Sequence, residues 1–172
     1  SSIYKDELIQ QFRDFYKTSS AKPLGEYKCY IIKRDQSGNK LKALASLLDK
    51  QDIKYQTVGN TMSSNGFSYS SGNNQSFEIE PGDMVVSAYQ TKSVLTQILL
   101  DPESELEDSL TYDITAWSLP YAYGLESYAT TKRINANQAL NTSNASNPLT
   151  EGYSYIIPWS DLESAKAAAI LA

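Results

Sequence analysis

The chain has 172 residues, 41% hydrophobic and 20% charged, with a net charge of −5. That length fits one domain with a core of ordinary size, and the acidic balance argues against a nucleic-acid partner, which needs a basic surface. Histidine is absent and Cys29 is the single cysteine, which excludes His-based triads, nearly all catalytic zinc sites and any intrachain disulfide.

The first segment, IYKDELIQQFRDFYKTSS, carries Ile3, Leu8, Phe12, Phe15 and Tyr16 at helical spacing, which predicts an amphipathic helix over 3–18. AKPLGE breaks it. EYKCYIIK (26–33) is short, β-branched and aromatic and reads as a strand. After a turn at RDQSGNK, Leu41, Leu44, Ala45, Leu47 and Leu48 form one stripe of a helix over 39–51, and IKYQTV (53–58) reads as the next strand. Strand, helix and strand joined by short connections predict a βαβ unit with a right-handed crossover, the building block of a parallel sheet.

Residues 59–83 are poor in hydrophobics and rich in Gly, Asn and Ser, with alternating runs FSYS and SFEIE. They predict a β-hairpin or long loop with a turn at 72–74. DMVVSAY (83–89) is a strand, and TKSVLTQILLD (91–101) is a helix with Val94, Leu95, Ile98 and Leu99 at helical spacing, stopped by Pro102. The acids Glu103, Glu105, Glu107 and Asp108 read as a solvated surface. DITAWSLPYAYGL (113–125) is a helix kinked or started near Pro120, or an irregular packed segment. ESYATTKRI reads as a strand and 135–152 as a polar linker. SYIIPWSDLESAKAAAILA repeats the pattern of CYIIKRDQSGNKLKALASLL: a second βα unit, its helix started by a Ser160/Glu163 capping box and helped by Asp161. No stop signal precedes Ala172, so the expectation is a piece of a longer polypeptide, with the sheet incomplete at its C-terminal side. No apolar run reaches the roughly 20 residues of a membrane span, and no signal peptide is present.

Glycine-rich phosphate cradles are missing, which argues against nucleotide binding. Cys29 falls inside a strand and reads as a small core residue. Asp113 stands before ITAWSL, where N-capping is its plainest role. The aromatics Trp117, Tyr121, Tyr123, Tyr155 and Trp159 serve either as core and interdomain packing or as a stacking platform for sugars or peptides.

TYDITAWSLPYAYGLE and YIIPWSDLESAKAAA, preceded by YIIKRDQSGNKLKALASLLDKQDIKY and GDMVVSAYQTKSVLTQILLDPESELED, together resemble the region downstream of the catalytic domain in large exported zinc carboxypeptidase-like peptidases of the carboxypeptidase A class, bacterial ones especially. The resemblance spans roughly 26–171. It implies a secreted or periplasmic parent whose zinc ligands and catalytic Glu lie upstream, so that this chain holds no catalytic, cofactor or metal residue. It also implies a three-layer α/β fold similar to flavodoxin and to class I glutamine amidotransferase domains, with a mostly parallel sheet and the amidotransferase triad unmatched.

The sequence-based expectation is therefore a single α/β domain: a non-catalytic accessory unit packing on its own upstream peptidase domain or aiding substrate binding, with Asp113, Trp117, Tyr121 and Trp159 as candidate ligand or interdomain contacts. Two alternatives stand beside it, a carbohydrate- or peptide-binding module and an atypical hydrolase or amidotransferase.

Overall fold

A computed structural model describes residues 4–103, 118–142, 154 and 156–171. Glu105, Glu107, Asp108, Asp113, Trp117, Tyr155, Ile3 and most of the expected 135–152 linker lie outside the described residues.

The elements follow in the order α1 (Lys5–Ala21), β1 (Cys29–Ile32), α2 (Asn39–Lys50), β2 (Met62–Ser68), β3 (Asn74–Ile79), β4 (Met84–Ser87), α3 (Ser93–Leu100), α4 (Leu119–Tyr123), β5 (Ser127–Thr130) and α5 (Leu162–Leu171). The five strands form one sheet in the order β3-β2-β5-β1-β4, and every neighbouring pair is antiparallel. This overturns the mostly parallel, flavodoxin-like or amidotransferase-like sheet expected from the sequence. The expected strand over 53–58 reduces to two bridges, Gln56 with Val85 and Thr57 with Gln138, both antiparallel. β1 and Gln56 both pair with β4 in the antiparallel sense. They therefore run in the same direction, as a βαβ crossover requires, but β4 lies between them. The unit is a split βαβ, and the inserted strand converts a parallel neighbourhood into an antiparallel one.

α2 is held firmly at both ends. At its start the Asp35 carboxylate accepts from the amides of Leu41 (3.1 Å) and Lys40 (3.4 Å), and the Ser37 hydroxyl accepts from the Asn39 amide (3.2 Å). These are the amide groups that a first helical turn leaves without partners. At its end the Ile53 amide reaches the Leu48 carbonyl at 3.0 Å and the Asp52 amide the Asp49 carbonyl at 3.1 Å, a Schellman closure. It places Asp52 in the left-handed region at φ 55°. The buried stripe Leu41, Leu44, Ala45 and Leu48 then packs on Tyr30, Ile32, Met84, Val86 and Ala129 of the sheet.

The other sheet face carries Cys29, Ile31, Val85, Tyr128, Phe77 and Ile79, with Val58 and Ile134 added from outside the strands. Phe77 and Tyr128 stack with centroids 4.2 Å apart and planes 9° from parallel. They come from β3 and β5, with β2 between them. The pairs Ser64–Phe77 and Ser68–Tyr128 put Gly66 on the face where the rings meet. A Cβ there would overlap the Ala129 carbonyl oxygen and lie 3.2 Å from the Thr130 Cα. The missing side chain lets β2 and β5 close and the rings stack across them.

The hairpin expected in 59–83 forms as β2 and β3, turning through Gly72 at φ 67°. Pro120 sits in the first turn of α4, which Gly124 ends at φ 59°. Three expectations change. α3 is turned so that Ser93, Thr96, Gln97 and Leu100 are buried while Ile98 is 65% exposed. Hydrogen bonds fix that orientation: the Gln97 amide donates to the Leu24 carbonyl, the Tyr69 hydroxyl to the Leu100 carbonyl and the Tyr30 hydroxyl to Asp101. α1 forms, but its stripe of Leu8, Phe12 and Phe15 is exposed rather than packed in the core. Of the second βα unit the described residues include the helix but no strand: Ile156 and Ile157 are outside any strand, and Ile156 is 97% exposed.

The cap of α5 also differs. Asp161, not Ser160, accepts from the Ser164 amide at 2.9 Å, while Glu163 pairs with Lys166 at 2.5 Å. Asp161 is the residue immediately before the helix, so its carboxylate meets the third helical amide, the usual N-cap geometry. It further accepts from the Ser37 hydroxyl (2.9 Å) and the Asn39 side-chain Nδ2 (3.1 Å) at the start of α2, joining two helix N-termini. Among the described residues no helix is long and apolar enough to cross a membrane.

Candidate functional site

The last shared rung between β4 and the 54–57 segment is Gln56–Val85, closed by 2.9 and 2.8 Å backbone hydrogen bonds. Beyond it the Gln90 carboxamide replaces the next rung. It accepts from the Lys54 amide (2.8 Å) and donates to the carbonyls of Ser87 (2.7 Å) and Lys54 (3.2 Å). On the far side, residues 133–137 are seated by Ile134, which is buried and whose amide donates to the Cys29 thiol at 3.3 Å. Burial raises the pKa of that thiol, against the Ile134 hydrogen bond, so Cys29 works as a neutral core acceptor.

Between these segments lies a cleft of about 500 Å³. Lys54, Tyr55 and Gln56 line one wall, Ser87, Tyr89 and Gln90 the second, and Arg133, Asn135 and Asn137 the third, around buried Val85 and Ile134. Among the described residues no carboxylate lines it. Lys54 is ion-paired to Asp52 just outside, an exposed pair whose hydrogen bond raises the lysine pKa and lowers that of the acid. Arg133 is different. Its guanidinium carbon sits 4.7 Å from the Tyr89 ring centroid, and it makes no ion pair among the described residues. A stacked guanidinium keeps its charge and its hydrogen-bonding edges for an incoming group.

Of the candidate contacts named from the sequence, Tyr121 and Trp159 are described and lie in different places. Tyr121 is 41% exposed, 5.1 Å from the Tyr69 ring, and lines a shallow hollow with Pro120 and Leu125. Burial raises its pKa, helped by Glu103. Trp159 is 75% exposed, ahead of α5. A third hollow, about 570 Å³, lies between the starts of α2 and α5. Its Asp161 is drawn down to a pKa of about 2, first by the Ser164 amide and then by Asn39 and Ser37.

Comparison with protein-family models, with curated proteins and with solved structures returns no match for this chain. The zinc that the sequence resemblance implies for the parent does not fit here: the chain has no histidine, and no three Cys, Asp or Glu side chains converge among the described residues.

The sequence reading did not name Arg133, Tyr89 or Gln90. The dipeptide Lys132-Arg133 does not single out Arg133, because Lys33-Arg34 repeats it. Tyr89 and Gln90 become legible only once β4 and residues 133–137 are known to be neighbours.

Proposed function

We propose that this chain is a non-catalytic α/β accessory domain of an exported zinc metallocarboxypeptidase-like protein, packing on the upstream peptidase domain. The observation that carries this reading is apolar surface on the terminal helices. Leu8, Phe12 and Phe15 of α1 and Trp159, Leu162, Ile170 and Leu171 at α5 are all exposed, and apolar side chains left exposed on one helix face, as at 8, 12 and 15, favour a covering partner. The test is hydrogen exchange on the longer protein against this chain alone. Slower exchange of α1 and α5 amides in the longer protein is expected; unchanged exchange, or a longer protein with no H-x-x-E segment upstream, overturns the reading. The isolated chain supplied with zinc is expected to release no C-terminal residues from peptides, and metal-dependent release would equally refute it.

A second reading is a ligand-binding module, favoured by the cleft of carboxamides around a stacked guanidinium that makes no ion pair among the described residues. Such a lining orients and holds a polar ligand. The two readings are compatible, because a domain that packs on a peptidase can also present substrate to it.

A further inference from the structure

We infer that the cleft between residues 54–56, 87–90 and 133–137 binds an extended acidic peptide, one of whose side-chain carboxylates pairs with Arg133. The inference rests on the ligand-binding reading and gives it a chemical class. The chain carries net charge −5, yet among the described residues this cleft has Arg133 and Lys54 in its lining and no Asp or Glu. Lys54 is engaged by Asp52; Arg133 is stacked on Tyr89 and makes no ion pair among the described residues. A planar guanidinium held against a ring offers a fork that matches one carboxylate. One such fork matches a single carboxylate, whereas a polyphosphate would bring several charges to one uncommitted cation.

The shape favours a peptide. The backbones of 54–56 and 87–90 separate beyond the Gln56–Val85 rung, and across the gap Gln90 bonds to Lys54 and Ser87 as a peptide unit would. The carboxamides of Gln56, Asn135 and Asn137 present paired donors and acceptors of the kind a strand backbone uses.

The test is fluorescence anisotropy with labelled, acetylated and amidated peptides of alternating Thr and Glu, against the same peptides with Gln for Glu. The Glu peptide is expected to bind about tenfold more tightly, the scale of one charge-assisted hydrogen-bonded pair, with the difference shrinking as salt rises. Arg133→Gln should abolish the difference, and Arg133→Lys should restore part of it. Asn137→Asp, which adds a negative charge with little change of shape, should weaken the Glu peptide and spare the Gln peptide; it serves as the test if Arg133→Gln lowers the thermal midpoint. Equal binding of the two peptides overturns the carboxylate inference and leaves the module reading standing. Preference for oligogalacturonate over both peptides overturns the peptide assignment. Binding of none of the three overturns the inference and the module reading together.

Discussion

The two faces of the sheet are built from alternate residues of the same strands but are covered in different ways. Tyr30 and Ile32 point to a face packed by α2, whose Leu41, Leu44 and Leu48 are nearly inaccessible. Cys29 and Ile31 point to a face to which, among the described residues, no helix contributes; Val58, Ile134 and the stacked rings of Phe77 and Tyr128 close it. A helix with both ends hydrogen-bonded makes a stiff cover. Residues 133–138, seated by one isoleucine and the Thr57–Gln138 bridge, make a thin one. The candidate cleft opens beside the thin cover, where side-chain carboxamides and the Arg133 guanidinium face a ligand. Rigidity on one face thus leaves the other free to carry function.

Cutting the stiff cover should have the largest effect. Leu44→Ala is expected to cost about 3 kcal/mol or more, whereas Ile134→Ala, at the edge of the thin cover, should cost about 2 kcal/mol and also weaken binding in the cleft; chemical denaturation reads both, and equal costs with no change in binding would erase the contrast. Next comes Gly66→Ala, which drives a Cβ into the Ala129 carbonyl and should cost about 1–3 kcal/mol, with loss of the Phe77–Tyr128 near-ultraviolet dichroism signal. Asp161→Ala removes the cap that ties α5 to α2 and should cost about 1 kcal/mol at neutral pH. Because the folded carboxyl titrates at about 2 against an ordinary 3.8, its contribution is complete above the ordinary value and is lost as pH falls through about 2. Denaturation of wild type and variant across that window should converge at the acid end. The smallest effect has the opposite sign. Asp52 occupies a left-handed position at the end of α2, so Asp52→Gly should stabilise by up to about 1 kcal/mol, read as a higher thermal midpoint; a lower one would mean the ion pair to Lys54 matters more than the backbone.

α2 was legible in the sequence because its stripe and its turn residues are local. So were β1, the hairpin, β4 and the position of Pro120. Strand direction was not. CYII is buried at all four positions, the pattern a parallel strand shows when helices cover both faces, yet here it marks the centre of an antiparallel sheet. The deciding events are long-range: β5 enters between β2 and β1, and β4 between β1 and Gln56. α3 shows a related limit. Its apolar spacing was visible, but side-chain hydrogen bonds from Gln97, Tyr69 and Tyr30 select the buried face. At the site, Arg133 lies more than forty residues from Tyr89 in sequence, and no periodicity links them.

The entry of β5 at the centre of the sheet also orders events in time. β2 and β3 form one ribbon and β1 and β4 another, and β5 alone joins them. During synthesis both ribbons emerge before residues 127–130, each with a strand edge unsatisfied. Until the linking strand arrives the nascent chain is two half-sheets open to wrong partners, a state in which chaperone binding would be most useful. A chain ended at Glu126 should therefore lack cooperative unfolding altogether, whereas one ended after Leu140 should regain it.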